Sequence, residues 1–260
     1  MSITKIDSRL GETNVNHQEC LMRIIQYNRV DDILVEFQDE YKGIVHTQYK
    51  SFIKGNVKNP YYPMVLGVGM IGSKYPAKIN NKETEEYQAW KGMIYRCFDN
   101  DTKERQPTYK DTTCCKEWLL YENFYEWLHS QENFDKLLGN IKWNVDKDIL
   151  IKGNKLYSPD TCCLVPMNVN SLFIKKSNYR GDLPIGVKRS HKSFMARCSD
   201  PITGNREYLG SHDTPLKAFV AYKNYKENLI KKIAELEYTK GNISKQCYDA
   251  MINYQVEITD

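Results

Sequence analysis

The sequence predicts an α+β protein in three parts: a small β-rich module over residues 1–78, a central strand–loop–strand–helix unit within 79–174, and a three-stranded sheet backed by a helix within 175–260. Three observations carry this. Short β-branched runs separated by polar turns fill the first part. Apolar residues recur at helical spacing from residue 85 onward. A second set of short alternating runs follows residue 185 and leads into a Thr-Pro helix start. The length of 260 residues accommodates two domains, or three small ones, at about 100–200 residues per domain. Hydrophobic residues at 41% and charged residues at 27% fit a folded chain rather than a disordered one. No apolar run reaches membrane-spanning length, and the opening MSITKIDSRLGETN lacks the layout of a signal peptide. A cytoplasmic location and no membrane partner are therefore expected.

In the first part, residues 21–27 (LMRIIQY), 33–37 (ILVEF) and 43–47 (GIVHT) read as strands of a small curled sheet, and 49–53 as a helical turn. Residues 55–63 (GNVKNPYYP) are too rich in turn formers to be regular. The run GVGMIG at 67–72 has three glycines, but no strand-then-helix unit surrounds it and no Lys-Ser/Thr follows, so it reads as a tight turn rather than a nucleotide loop.

From Thr84, a capping residue, a helix over 85–97 places Tyr87, Trp90, Ile94 and Cys97 on one face. A loop carries Pro107 and Tyr109, and a second helix is expected over 115–128, with Trp118, Phe124 and Trp127 as core. Residues 144–150 (NVDKDIL) then read as a strand carrying Asp146 and Asp148, Gly153-Asn154 as a turn, 161–165 as a return strand and 167–173 as a helix. A carboxylate at the end of such a strand and a side chain from the helix can hold a divalent cation against a phosphate. Equally, Asp146 and Asp148 can cap a turn or pair with Lys142, Lys147 or Lys152.

The net charge of +4 is modest, yet residues 175–206 hold eight basic side chains against two acids, a local net of +6. The basic charge therefore has an address, as in a nucleic-acid binder. Eight cysteines without a secretion signal argue for reduced thiols, a metal site or core packing. Beyond residue 223 the helical pattern breaks at Gly241-Asn242 and resumes over 244–254, where Ala250, Met251 and Tyr254 make an apolar edge.

The stretch 143–173, WNVDKDILIKGNKLYSPDTCCLVPMNVNSLF, resembles the HNH nuclease core of phage homing endonucleases. The family pattern runs Leu-Asp-Arg-Ile-Asp, a Gly turn, Tyr-Ser-Pro-Glu-Asn-Cys-Arg-Trp, then a helix with Asn or His. Val145-Asp-Lys-Asp-Ile149 matches the first part and Tyr157-Ser-Pro-Asp-Thr-Cys162 the second, and the order Trp90, Arg96-Cys97, Tyr109, Cys115-Lys-Glu-Trp118, Phe124 extends the likeness back to Thr84. The resemblance implies a ββα-metal domain and a site-specific, metal-dependent DNA endonuclease, a hydrolase with Asp146, Lys147 and Asp148 at the catalytic positions. It also implies Mg2+ or Mn2+ held by Asp146 with Asn168 or Asn170. Two positions depart from the family: Lys147 stands where His is usual and Thr161 where Asn is usual, and no His lies between His129 and His191. A lysine, with an ordinary pKa of about 10.4, needs burial or a cationic neighbour to act as a base. The alternative is an inactive relative that binds double-stranded DNA as a regulator, or inhibits a host defence system through a host protein target. The family's cysteine positions suggest structural Zn2+ at Cys97, Cys115, Cys162 and Cys163, with buried thiols as the other reading. The first 78 residues resemble a small β domain that precedes this core in many phage HNH proteins, and there Lys50, Lys54 and Lys58 with Tyr49, Tyr61 and Tyr62 form either a backbone contact or a solvated rim.

The last part resembles the ethylene-response-factor (AP-two) DNA-binding domain, which also occurs fused to phage HNH nucleases. Gly186-Val187, Phe194-Met-Ala196, Tyr208-Leu-Gly210 and Asp213-Thr214 with Ala218, Ala221 and Tyr222 stand in the family's order. That family lays its sheet in the major groove. The resemblance implies DNA contacts from Lys188, Arg189, Lys192, Arg197, Arg206 and Tyr208. Lys188, Tyr208 and Arg197 replace the Arg, Trp and Glu common there, which implies a different base preference.

Overall fold

A computed structural model describes residues 9–174 and 181–260, and shows the mixed α+β architecture expected. The basic positions Lys175, Lys176 and Arg180 lie outside the described residues. The chain forms two compact units, Met1–Glu126 and Trp127–Asp260. Among the described residues no helix is long and apolar enough to cross a membrane.

The first unit opens with an antiparallel meander of β1 (Thr13–Val15), β2 (Leu21–Arg29), β3 (Asp32–Phe37) and β4 (Ile44–Thr47), in that spatial order. Alternation does the sorting: Met22, Ile24, Ile33, Val35 and Phe37 turn inward onto Phe52 of α1 (Tyr49–Ile53). On the outer side Arg23 pairs with Glu36 at 3.2 Å, opposite one another in the register. Strands β5 (Lys78–Ile79) and β6 (Lys82–Glu83) are joined by Asn80-Asn81, both at positive φ (51° and 63°), the two-residue turn that matches strand twist. Thr84 then caps α2 (Glu85–Phe98), its side chain accepting from the Tyr87 amide, and the helix buries Tyr87, Trp90, Met93, Ile94 and Cys97. Next come α3 (Asn100–Arg105), a 3-10 turn at Pro107–Tyr109, β7 (Thr113–Cys114) and a 3-10 turn at Glu117–Leu119. Helix α4 (Tyr121–His129) follows, and the division between the units falls within it.

The second unit contains α5 (Phe134–Leu137), β8 (Trp143–Asp146), β9 (Leu156–Tyr157), β10 (Cys163–Pro166) and α6 (Met167–Ser171). After residue 181 come β11 (Val187–Ser190), β12 (Ser193–Ser199), β13 (Arg206–His212), α7 (Pro215–Thr239) and α8 (Lys245–Ile252). Thr214 and Ser244 cap the last two helices through their side-chain oxygens. One apolar core joins β10, α6, the β11–β13 sheet, α7 and α8. Cys163, Val165, Val169 and Leu172 from the hairpin and α6 pack in the same cluster as Val187, Ala196, Cys198, Phe219, Tyr222 and Ile230. The β8–β10 hairpin with α6 and the β11–β13 sheet with α7 are thus one folded body.

Candidate nucleic-acid interface and hairpin site

Strands β11, β12 and β13 form an antiparallel sheet in chain order, and α7 covers one face. Ala196 and Cys198 point at the helix, so Met195, Arg197 and Ser199 point away. Register extends the open face: Lys188 lies opposite Met195, Tyr208 opposite Arg197 and Arg206 opposite Ser199. A bulge between Met195 and Arg197 turns the far half of the strand. Tyr208 is 58% exposed, its hydroxyl donating to Ser211 at 3.0 Å, so the ring lies bare beside the arginines. Arg189 carries its guanidinium 4.8 Å from the centre of the Phe194 ring, an interaction that holds the side chain without neutralising it. Lys192 is exposed in the β11–β12 turn, where His191 takes a positive φ of 46°. Lys188, Arg189, His191 and Arg197 line a concavity of about 290 Å³ on this sheet. The six residues expected to meet DNA are all solvent-accessible, Tyr208 through most of its ring.

The hairpin pairs β8 with β10 in antiparallel register, Asp146 facing Cys163 across the ladder. The strand stops at Asp146, short of the 144–150 expected, because its Oδ1 accepts the amides of Asp148 (2.6 Å) and Ile149 (2.8 Å) and turns the chain. Burial pushes the Asp146 carboxyl up, against the pull of these two amides. Lys147 is 4% exposed, and its Nζ donates to Asp148 Oδ2 at 2.7 Å and to the Asn154 carbonyl at 2.8 Å. Asn154 answers by donating to the Lys147 carbonyl at 2.9 Å. Both acids thus take the turn-capping and lysine-pairing roles open to them from sequence. On α6, the Asn168 side-chain oxygen accepts the Val169 amide at 2.9 Å. Thr161, at the family's Asn position, bonds the Leu156 carbonyl (2.7 Å) and Ser158 (2.9 Å), closing the loop before β10.

Because Lys147 gives hydrogen bonds to two segments of this loop, Lys147→Met is expected to cost about 1–3 kcal/mol. Urea unfolding of the variant beside wild type measures it, and an unchanged midpoint would show that the clamp contributes nothing.

A second clamp was not legible in the sequence. Lys152, in the turn beyond β8, donates to the Gln255 carbonyl at 2.9 Å and lies 2.9 Å from the Asp260 carboxylate, with Glu257 at 3.5 Å. Its ammonium also sits 5.0 Å from the centre of the Tyr254 ring, which packs edge-on against Phe173. Burial, then the fields of Asp260 and Asp148, raise the Tyr254 phenol well above its usual range.

All eight cysteines are free of disulfides. Among the described residues no three His, Cys, Asp or Glu side chains gather as metal ligands. Cys97, Cys162 and Cys163 are buried and Cys115 is half-buried. Burial pushes Cys162 up to about 12 and Cys115 to about 11. A hydrogen bond with Cys247 and burial raise Cys163, and a hydrogen bond with Cys97 and burial raise Cys114.

No protein-family model matches the chain, and neither a curated protein nor a solved structure is similar to it.

Proposed function

We propose that the chain is an HNH-type protein that binds double-stranded DNA with the open face of β11–β13 and cuts it with a divalent cation at the β8–β10 hairpin. The observation that supports binding is the in-register display of Lys188, Arg197, Arg206 and Tyr208 on a sheet face that no described element of its unit covers. Cations spaced along a sheet meet phosphates, and a bare tyrosine and arginines between them meet base edges. For cutting, the support is Asp146 at the end of a strand that α6 packs against. Mg2+ is commonly held by one or two carboxylates together with substrate phosphates, so Asp146 fits. Asn170 joins it more readily than Asn168, whose oxygen already serves its own helix. Bound there, the cation would stabilise charge on the phosphodiester. The chain's own part is to fix the Asp146 carboxylate through two amides and to hold the loop rigid through Lys147.

A second reading is binding without cutting. It is favoured by Lys147, which sits at the family's base position with its ammonium committed to Asp148 and Asn154.

A nicking assay on supercoiled DNA with Mg2+, Mn2+ or EDTA separates the two. The first reading expects metal-dependent nicking that Asp146→Ala abolishes while binding persists, and the second expects binding alone. Arg206→Ala is expected to weaken binding by about 1–3 kcal/mol, or, if it touches only phosphate, to reduce the salt slope by about 0.9. Unchanged affinity and slope in both Arg206→Ala and Arg189→Ala would rule out the sheet as the interface.

A further inference from the structure

The three strands β11–β13 hold one acid, Glu207, and it turns to the helix side, where its field reaches Tyr225 of α7. Their open face is therefore free of carboxylates. The middle strand β12 offers it Ser193, Met195, Arg197 and Ser199, while the outer strands offer Lys188 on one side and Arg206 and Tyr208 on the other. Two of the middle residues stand out. Arg197 is exposed, and no described residue gives its guanidinium a hydrogen bond or an ion pair, in contrast to Arg189 on its phenylalanine ring. Met195 is half-buried, and its cross-strand neighbours are Lys188 and Ser211, so neither strand beside it covers the thioether with an apolar side chain. Together with Lys188, these two residues line the concavity of about 290 Å³.

Strands about 4.8 Å apart put the axes of β11 and β13 roughly 10 Å from each other. A duplex offers a major groove about 12 Å wide and a minor groove about 6 Å wide, so only the major groove takes a sheet of this width. The outer strands then lie nearest the phosphates and the middle strand lies over the base edges. Alternate residues of a strand repeat about every 6.6 Å, and base pairs stack about every 3.4 Å. Neighbouring open-face residues of β12 therefore stand two base pairs apart.

We propose that β12 is the base-reading strand, with Arg197 taking O6 and N7 of a guanine and Met195 the methyl group of a thymine, so that the recognised sequence carries a G·C and a T·A pair separated by one base pair. Arginine forked onto guanine is the commonest specific contact in the major groove, and the thymine methyl is the one apolar feature there. The assignment rests on the DNA reading of the open face, and it is independent of cleavage at the hairpin.

The test selects duplexes from a random library with the full chain in EDTA, so that cutting does not intervene, and repeats the selection with Arg197→Gln, Met195→Gln and Met195→Leu. Wild type is expected to enrich the G·C and T·A pairs at the stated spacing. Arg197→Gln loses the guanine and keeps the thymine, Met195→Gln does the reverse and turns towards adenine, and Met195→Leu keeps both. On a selected duplex, Arg197→Gln binds about tenfold more weakly. Replacing the one thymine by deoxyuridine, which removes only the methyl, weakens wild type about fourfold and leaves Met195→Gln unchanged. The proposal is overturned if wild type binds without enriching such a pair, if the enriched bases stay the same in both glutamine variants, or if deoxyuridine leaves wild-type affinity unchanged. Those outcomes leave the DNA reading standing. A chain that binds no duplex at any salt concentration refutes that reading, and this assignment with it.

Discussion

Gly186→Ala is expected to destabilise the second unit by about 2–5 kcal/mol. Gly186 precedes β11 with φ at +77°, a conformation that costs an L residue roughly 1–2 kcal/mol. A Cβ there would lie 2.0 Å from Cδ2 and 2.2 Å from Cγ of Tyr222, a ring that is 6% exposed in the main core. The ring cannot swing aside, so the added methyl overpacks the site at about 1–3 kcal/mol more. Equilibrium unfolding in urea measures the loss, and a double-mutant cycle with Tyr222→Leu separates its parts. The clash should largely vanish in the Leu background while the backbone cost stays. A total below about 1 kcal/mol would mean that the helix and the strand entry do not approach as described.

Asn133 is expected to be the second most sensitive position. It is 2% exposed, and its amide donates to the Leu164 carbonyl in β10 at 2.9 Å and to the Asn242 carbonyl between α7 and α8 at 2.8 Å. Two distant segments are therefore satisfied by one side chain. Asn133→Leu leaves both carbonyls buried and unpaired, at about 1–3 kcal/mol each. Asn133→Asp is expected to be worse at neutral pH, since it aims a carboxylate at two carbonyl oxygens. The two variants should separate as pH rises through the ordinary carboxylate range and converge at acid pH, where the introduced carboxyl is protonated and donates to one of the carbonyls. Urea midpoints across pH read this directly, and equal midpoints for the two variants at neutral pH would dismiss the two-carbonyl role.

Elements held by local chemistry could be read from sequence. Thr84 and Thr214-Pro215 announce α2 and α7, and alternation about Ala196 and Cys198 announces the two faces of β12. Elements shaped by distant partners could not. The single helix expected over 115–128 is broken at an extended Leu120, because the Trp118 carbonyl accepts from Trp90 Nε1 (2.8 Å), the Leu119 carbonyl from the Met70 amide (2.8 Å), and the Tyr121 amide donates to Met70 (2.9 Å). Nothing near residue 118 in the chain signals residues 70 or 90. The turn expected at 67–72 is present, and its geometry has a distant cause as well: Glu122 takes the Ser73 and Lys74 amides at 2.6 and 2.7 Å, against the face of Gly72. The site divides the same way. The exposure of Lys188, Arg197, Arg206 and Tyr208 follows from strand alternation. The clamp on Lys152 does not, since its partners are Gln255, Glu257 and Asp260.

The clamp on Lys152 has a consequence in time. Its carboxylate partner at Asp260 lies 108 residues further along the chain. At about 5–20 residues per second, the ribosome needs roughly 5–20 seconds to make that interval. During those seconds β8 and β10 can pair, yet the turn beyond β8 lacks the residues that pin it. In a nascent chain the hairpin can thus be paired before it is fastened, and the acidic turn takes its final form only once the last strap has been made.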